Sequence, residues 1–318
     1  MHTLVDLHFV MPGASQLTLA ADPDYDWRSF GRSEPAWSLQ SAIFLARAGA
    51  RVTLDSTPRE DAINFIPASM MMGRRLGSER CYTVSLAADK TLIPWAHAHV
   101  VQNASQRGFN RYWLHHWPQP GLIPRDPERG CNVKTVGFAG LPVNSGLSDG
   151  ALASVCKSFG LSFRQLSPSD WNDYSNVDVL VGVRDFAGGR YPRKPASKLL
   201  NAWLANTPFI GGVDSAYEQV GKPGVNYLQV RTLDQFEKAL ERLVTDAALY
   251  NSLTSHGRAA SEICCRQAIV VSWMRVAELL ESDFLRWRRS SMAVRATGAV
   301  IRGTRVRLER LRFPGVGR

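Results

Sequence analysis

A glycine pair and several basic residues precede a predicted helix in the second half of the chain. Residues 188–203 read GGRYPRKPASKLLNAW and follow VDVLVGV, which has the pattern of a buried strand. Lys194, Ser197 and Lys198 place two ammonium groups and a hydroxyl at the start of the helix. A helix N-terminus offers unpaired N–H groups and the positive end of the dipole, which both favour an anion. The segment therefore predicts a diphosphate site, and an exposed helix start with solvated lysines is the alternative.

Two more residues follow predicted strands at positions where a ligand could bind. Arg184 comes directly after the strand at 177–183 and could reach a phosphate, with a surface arginine as the alternative. Gly140 ends the strand at 134–139 and would allow close backbone approach, unless it is a plain turn glycine. Ligands of open α/β sheets lie beyond the carboxyl ends of the strands, so both positions fit the same site.

Alternating strand and helix patterns position these residues, which predicts an α/β fold with parallel sheets. The predicted strands of the first half are 4–11, 51–54, 62–66, 81–86 and 99–102, with a helix from the Ser33 cap to Gly49. The second half repeats the pattern with strands at 134–139, 161–165, 177–183, 209–210 and 226–230. Its predicted helices begin at Ser148, Pro195 and Thr232. Residues 113–130 hold four prolines and two glycines, which indicates a connection between two domains.

The predicted organisation is therefore an N-terminal domain (1–115), a linker (116–133), a C-terminal domain (134–262) and terminal helices with a basic tail (263–318). The chain has 318 residues, 45% hydrophobic and 21% charged, which is ordinary for globular proteins. No apolar run is long enough to span a membrane. Five cysteines without CxxC spacing, and a first apolar run with no basic residues before it, predict a cytoplasmic protein with reduced thiols.

The net charge of +10 is concentrated in the tail. Residues 286–318 contain ten arginines and a single acid, Glu309, interleaved with apolar residues. This pattern is typical of contact with an anionic membrane surface, and a solubilising tail is the alternative. Gly298, Gly303 and Pro314 are expected to interrupt any long helix here. The chain shows no recognised nucleic-acid module, so nucleic acid is not an expected partner.

The second half resembles the nucleotide-sugar-binding domain of GT-B glycosyltransferases, from Val136 to Asp246. KPASKLLNAWLANTPFIGG is similar to the lysine-containing helix, small-residue turn and strand of that family. SAYEQVGKPGVNYLQVRTLDQFEKALERLVTD is similar to the segment that follows, and GRSEPAWSLQSAIFLARAGARVTL resembles the first loop, helix and second strand. The resemblance implies two Rossmann-like domains facing across a cleft. It implies a nucleotide-sugar as substrate, with no cofactor and no metal.

By this resemblance Lys194, Ser197 and Lys198 hold the donor phosphates and Asn201 faces the ribose. Glu218 would lie on the loop facing the donor, with a helix-start carboxylate as the alternative. Many retaining members carry two glutamates eight positions apart on this helix, whereas this chain has Arg193 and Asn201 there. An asparagine can still hydrogen-bond a ribose hydroxyl as a neutral group.

The loop at 30–34 faces the cleft in this family, which makes Gly31 and Arg32 candidates for contact with the acceptor. Glu34 is the first candidate for the general base, because an alcohol must lose its proton to attack; a first-turn helix acid is the alternative. Other candidate groups have structural alternatives. These are His97 and His99, the seam histidines His115 and His116, and the acidic loop with Asp22, Asp24 and Asp26, which could hold a metal but is interpreted as solvated.

The combined prediction is a hexosyltransferase-type glycosyltransferase that moves a sugar from a nucleotide-sugar to a saccharide or lipid-linked acceptor. Envelope polysaccharide or glycoconjugate synthesis is the expected setting. Two alternatives stay open. One is a non-catalytic nucleotide- or sugar-binding partner protein on the same scaffold, and the other is a nucleotide-sugar epimerase.

Overall fold

The computed structural model describes residues 5–13, 15–31, 35–73 and 79–312, which form two parallel sheets with helices on their faces. The first sheet contains β1 (Leu7–Val10), β2 (Val52–Asp55), β3 (Ile63–Pro67), β4 (Tyr82–Leu86), β5 (Ala98–Val101) and β6 (Arg111–Trp113), in the order β2-β1-β3-β4-β5-β6. The second contains β7 (Thr135–Ala139), β8 (Ser162–Leu166), β9 (Val179–Gly182), β10 (Phe209–Gly211) and β11 (Leu228–Gln229), in the order β11-β10-β9-β7-β8. The predicted α/β class is confirmed.

The helices cover the sheets in the rhythm that the sequence predicts. They are α1 (Gln40–Arg47), α2 (Ala68–Met71), α3 (Asp149–Ser158), α4 (Ser197–Leu204), α5 (Ser215–Val220), α6 (Leu233–Thr245), α7 (Ala247–Ala260), α8 (Arg266–Arg289) and α9 (Met292–Arg312). Ser148 and Thr232 cap α3 and α6, because their side chains accept from the N–H groups of Ala151 and Gln235. The predicted Ser33 cap lies outside the described residues, and the helix it precedes starts with a π-turn at Pro35–Leu39.

Helix α8 crosses from the second half of the chain to the first sheet. Trp273, which is fully buried, lies with its ring centroid 5.7 Å from Phe65, 5.9 Å from Trp37 and 6.3 Å from Phe9. Seven further α8 side chains belong to the same core: Ile269, Val270, Met274, Val276, Ala277, Leu280 and Phe284. The last long helix before the tail therefore completes the N-terminal core, and it ties the two halves of the chain together.

The linker is held against the C-terminal domain. The Ile123 N–H donates to Asn172 O at 2.8 Å, and the Arg125 N–H donates to Ala205 O at 2.9 Å. The Arg125 side chain is buried against Asp178, with Nε 2.9 Å from Oδ1. A proline-rich segment has few N–H groups to satisfy. The Asp126 N–H also donates to this domain, to Ser175 O at 3.0 Å.

The tail forms a long helix where the sequence predicts an interrupted one. Helix α9 runs continuously from Met292 to Arg312, through Gly298 and Gly303, whereas the residues after Arg312 lie outside the described part. An internal glycine disfavours a helix by only about 1 kcal/mol, which packing of the rest of the helix can offset. Gly303 also lies close to Pro94. A Cβ added at Gly303 would stand 4.0 Å from the Pro94 Cβ. The expected interruption at Gly298 and Gly303 is therefore wrong.

Asn103, at the end of β5, joins the two domains. Its Nδ2 donates to Lys194 O at 2.9 Å and to Ser215 Oγ at 3.0 Å, and its Oδ1 accepts from Gln219 Nε2 at 2.8 Å. The side chain is fully buried, and of its three partners Gln219 Nε2 also donates to Ser105 Oγ at 2.9 Å. The contact fixes the start of α5 and the approach to α4 relative to the first sheet.

We expect Asn103→Ala to lower the free energy of unfolding by about 1–3 kcal/mol, because it leaves buried polar groups on the facing domain unpaired. Urea denaturation measures the change. Asn251→Ala, at an exposed position of α7, is the matched control and should leave stability unchanged or slightly higher. Equal stability of the two variants would show that water replaces Asn103 without loss.

Candidate functional site

A cleft lies between the carboxyl ends of the two sheets. Its larger depression has an empty volume of about 540 Å³ and a second, of about 410 Å³, adjoins it through Ala88 and Asp89. The larger one is lined by Ala88, Asp89, Gln102, His116, Asn144, Arg184, Lys194, Pro195, Ser197 and Lys198. Four predicted donor-site residues, Arg184, Lys194, Ser197 and Lys198, therefore meet in one place. Their convergence follows from parallel strands, whose carboxyl ends share one edge of a sheet.

The surroundings of Lys198 strongly lower the pKa of its ammonium group. It lies in the first turn of α4, and its ammonium faces the Phe138 ring, 5.2 Å from the centroid. Burial, with the nearby charges of Arg184 and Lys194, lowers the pKa of Lys198 to about 7, against the opposing effect of Asp214 and Asp89. Because burial disfavours the charged form, the ammonium of Lys198 would be stabilised by a bound anion.

Gly140 makes room for this ammonium. Its φ of +152° favours glycine, and a Cβ at this position would stand 3.0 Å from Lys198 Nζ. The end of β7 can therefore approach Lys198 only because no side chain intervenes. Gly140 thus allows the backbone to come close to Lys198. Contact of Gly140 with a donor stays a prediction.

Arg184 is anchored by an ion pair at the edge of the cleft. Its Nε donates to Asp214 Oδ2 at 2.6 Å, and both side chains are buried, at 9% and 1% exposure. Burial raises the pKa of Asp214, although the Arg184 charge acts in the opposite direction. The Tyr191 ring lies 5.6 Å from the guanidinium, and its hydroxyl donates to Asp185. Arg184 is thereby held in one orientation.

Lys194 already has a carboxylate partner from the other domain. Its Nζ lies 2.7 Å from Asp89 Oδ2, while Asp89 Oδ1 accepts from Gln102 Nε2 at 2.6 Å. Gln102 also donates to Arg193 O at 3.1 Å. An anionic ligand would have to share Lys194 with Asp89 and Arg184 with Asp214, so Lys198 is the better placed cation.

The structure places the other two predicted donor contacts in different surroundings. Asn201 is buried and its Oδ1 accepts from the Gln119 N–H of the linker at 3.1 Å. Glu218 lies in the first turn of α5, where Oε2 is 3.1 Å from Arg190 Nη2 and Oε1 accepts from Gln229 at 3.1 Å. Contact of either residue with a ribose or a donor stays a prediction.

The candidates of the first loop are only partly described. Gly31 follows the 3-10 turn Trp27–Phe30 and its N–H donates to Arg28 O at 3.3 Å. Arg32 and Glu34 lie outside the described residues. The predicted roles of all three toward an acceptor stay predictions.

His116 lines the cleft, although its place beside Trp117 in the sequence predicts a residue that packs between the domains. Its Nδ1 lies 2.9 Å from Trp117 O, so that nitrogen carries the proton and Nε2 has a lone pair. Its ring stacks on Trp37 with the centroids 5.3 Å apart. Burial lowers the pKa of His116 below its ordinary value, against the raising effect of Asp89, which leaves a neutral imidazole at pH 7. The structure thus places a neutral imidazole at the wall of the cleft.

Three further histidines are structural. His97 and His99 are buried beside β5, at the end of the strand away from the cleft. His99 Nε2 lies 3.0 Å from both the N and the O of Ile93, and His97 Nδ1 accepts from the Thr83 N–H at 3.0 Å. The His115 ring packs edge-on against Trp113.

The acidic loop serves the fold. Asp24 accepts from the Gly121 N–H at 3.0 Å and pairs with Arg266, and Asp22 lies 3.8 Å from Arg47. The loop therefore connects the linker and α8 to the first domain.

The smaller depression combines apolar walls with small polar groups. It is lined by Trp37, Ser38, Pro67, Ala68, Ser69 and residues 86–90. Ser38 lies in the π-turn before α1, and its buried hydroxyl has no hydrogen-bond partner among the described residues. Ala88, at the junction of the two depressions, has a φ of +44°, which is strained for a residue with a side chain. Such turns and strained residues are frequent at functional sites.

Solved structures share this architecture. No family model and no curated protein sequence matches the chain. Sucrose-phosphate synthase of Thermosynechococcus elongatus matches with a TM-score of 0.57 at 10% identity, over 88% of this chain and 100% of that chain. AviGT4, a glycosyltransferase of avilamycin A biosynthesis, gives 0.56 at 11%, over 88% and 98%. HepE of Anabaena, in complex with UDP and glucose, gives 0.53 at 13%, over 87% and 100%.

The chain therefore has the GT-B glycosyltransferase fold, with two Rossmann-like domains on either side of a cleft. The resemblance predicted from the residues is confirmed at the level of the fold.

Proposed function

We propose that the protein is a glycosyltransferase that moves a hexosyl group from a nucleotide-sugar to a saccharide or lipid-linked acceptor. The observation that carries this proposal is the convergence of Arg184, Lys194 and Lys198 beside the N-terminus of α4, in the cleft of a GT-B fold. Cations and helix N–H groups suit a diphosphate leaving group, which gains negative charge as the sugar departs. In this proposal no cofactor or metal is needed.

The acceptor is proposed to enter from the first domain. The smaller depression combines apolar walls with the half-buried Ser69, a combination that suits the ring faces and hydroxyl groups of a sugar. The protein would act in the cytoplasm on envelope polysaccharide or glycoconjugate precursors, with the Arg-rich segment 286–318 at an anionic membrane surface.

His116 is proposed to take the proton of the acceptor hydroxyl. As the acceptor oxygen forms its bond to the sugar, the bond from the sugar to the diphosphate breaks and the electron pair stays on the phosphate oxygen. The released proton passes to Nε2 of the neutral imidazole, and Lys198 and Arg184 balance the charge of the leaving group. Glu34, which precedes the π-turn, stays the alternative base.

Thermal unfolding with UDP, GDP, CDP, CMP, ADP and dTDP tests the donor site. UDP is tried first, because HepE was solved with it. A ligand at 100 times its dissociation constant adds about 2.7 kcal/mol of stability, which gives a clear shift. A shift with one nucleoside diphosphate supports the proposal, whereas no shift with any of them contradicts it.

One observation favours a binding protein without turnover. The carboxylate of Asp89 occupies Lys194 in the middle of the proposed anion site. Incubation of the protein with the matching nucleotide-sugar separates the possibilities. Release of nucleotide with glycosylated acceptor indicates a transferase, an isomeric nucleotide-sugar without acceptor indicates an epimerase, and tight binding without any product indicates a binding protein.

We expect His116→Gln to lower kcat about 100- to 10,000-fold while leaving nucleotide binding unchanged, because only the proton acceptor is lost. Initial rates and nucleotide titrations measure the two quantities. His115→Gln, on the neighbouring residue, is the matched control and should keep near-normal turnover. If His116→Gln keeps full activity, the base lies elsewhere, and Glu34 becomes the residue to substitute.

A further inference from the structure

Helix α9 exposes an apolar stripe. Val294, Ile301 and Leu308 are 59%, 62% and 54% exposed, and they recur every seven residues, which places them on one face of the helix. Val300, at 68% exposure, lies beside them. The stripe extends over about four turns of helix, roughly 21 Å. Apolar side chains in this arrangement are an interaction surface when nothing covers them.

The opposite face of α9 is the one that packs on the protein. Val306 is buried, and the Arg295 guanidinium lies 4.1 Å from the centroid of Trp287. Arg302 also points inward, and its Nε and Nη2 are buried without a hydrogen-bond partner in the part of the chain that the structure describes. The helix is therefore fixed by its inner face, which leaves the apolar stripe directed away from the body.

The charge around the stripe is mostly of one sign, since Glu309 is the single acid of residues 286–318 and Asp283 pairs with Arg286. Residues 284–308 contain no Asp or Glu. Arg286, Arg288, Arg289 and Arg307 are exposed. Near the stripe, the Arg305 guanidinium lies 4.4 Å from the ring centroid of Phe109, which is itself 62% exposed. Apolar side chains, an aromatic ring and several guanidinium groups thus share one surface.

This combination selects an anionic lipid surface over the other partners. Two copies of the chain that paired through the stripe would bring together many arginines and few acids, and like charges at such positions oppose association. A nucleic acid would satisfy the arginines and leave the apolar stripe in water. Lipid phosphates and the acyl boundary satisfy both at once.

We propose that α9 lies on an anionic lipid surface, with Val294, Ile301 and Leu308 in the acyl boundary and the exposed arginines at the lipid phosphates. The part of the chain that the structure describes has no helix long and apolar enough to cross a membrane, so contact would be made from one side. The inference rests on the membrane placement in the proposed function, and it does not depend on the donor site. It specifies the face of the protein that would meet a lipid-linked acceptor.

Sedimentation with vesicles tests the proposal. The full chain is mixed with vesicles of phosphatidylcholine alone, or of phosphatidylcholine with 30% phosphatidylglycerol (about the anionic share that gives a strong surface potential). We expect binding only to the anionic vesicles, with a large loss in high salt. Ile301→Glu should weaken this binding at least tenfold. Arg307→Gln should weaken it a few-fold.

Leu279→Glu is the matched control, because Leu279 is 55% exposed on α8 and lies outside the stripe. It should bind vesicles as the unmodified protein does. Unchanged melting temperature and unchanged nucleotide shifts in all three variants show that the fold and the donor site are intact. Failure of the vesicle assay is therefore distinguishable from failure of the proposed function.

Three outcomes would overturn the proposal. The first is equal vesicle binding by Ile301→Glu and the unmodified protein. The second is a lipid-free dimer that Ile301→Glu dissociates, which would make the stripe a contact between copies. The third is tight binding to an RNA oligonucleotide that prevents vesicle binding and does not change in Ile301→Glu.

Discussion

Lys198→Met is expected to weaken nucleotide diphosphate binding by about 10- to 100-fold, because a charge-assisted contact with the phosphates is lost. The same substitution should stabilise the free protein at neutral pH. Burial disfavours the ammonium and lowers the pKa of Lys198 to about 7, whereas an uncharged side chain of similar length avoids that penalty. Titration calorimetry and thermal unfolding measure the two effects. Lys238→Met, in an exposed pair with Asp234, is the matched control for both.

The pH dependence of Lys198 has a definite sign. Between about pH 7 and the ordinary lysine value of 10.5, the unfolded chain holds a proton that the folded protein lacks. The free energy of unfolding therefore rises with pH over this window, and Lys198→Met should lack this rise. A bound diphosphate favours the charged form, so binding above pH 7 takes up a proton and weakens as the pH increases. Two results would contradict the assignment of Lys198 to the phosphates. One is an equal nucleotide affinity at pH 6.5 and pH 8.5, and the other is an affinity of Lys198→Met within twofold of that of the unmodified protein.

Asp178→Ala is expected to destabilise the protein by about 3–5 kcal/mol, the range for breaking a buried ion pair by removing one partner. Asp178 is fully buried just before β9 and accepts from Arg125 Nε at 2.9 Å and Arg129 Nε at 2.7 Å. The N–H groups of Lys134 and Thr135 donate to it at 2.9 and 2.8 Å. The variant would leave two guanidinium groups and two N–H groups without their acceptor.

Urea denaturation at pH 7 measures this loss, with Asp234→Ala as the exposed control that should change stability by less than 1 kcal/mol. Burial alone would raise the pKa of Asp178, but the Arg129 guanidinium and the backbone donors lower it below 3.8. Its contribution is therefore present above pH 3.8 and lost as the pH falls through the folded value. A loss below 1 kcal/mol for Asp178→Ala would show that water or another carboxylate satisfies the arginines.

The convergence of the basic residues of the C-terminal domain is the part of the candidate site that the sequence predicts well. Lys194, Ser197 and Lys198 are neighbours on the start of one helix, and Arg184 follows the adjacent strand, so local patterns are enough to place them together. The side of the cleft that the first domain forms is different. Asp89 meets Lys194 from more than 100 positions away, and His116 faces the cleft from a segment that reads as packing. Asp89 does follow β4, and that position is the signal that could have indicated it.

The sequence by itself determined the alternation of elements, the parallel sheets, the caps at Ser148 and Thr232, and the GT-B resemblance, because these depend on local pattern and spacing. It also determined the concentration of arginine in the tail. Only the tertiary structure decided that α8 completes the first core and that α9 is a continuous helix with an outward apolar stripe. It also decided which side chains from the two domains share the cleft. Periodicity shows which face of a helix is apolar, but the surface that covers this face is set by long-range packing that no local pattern contains.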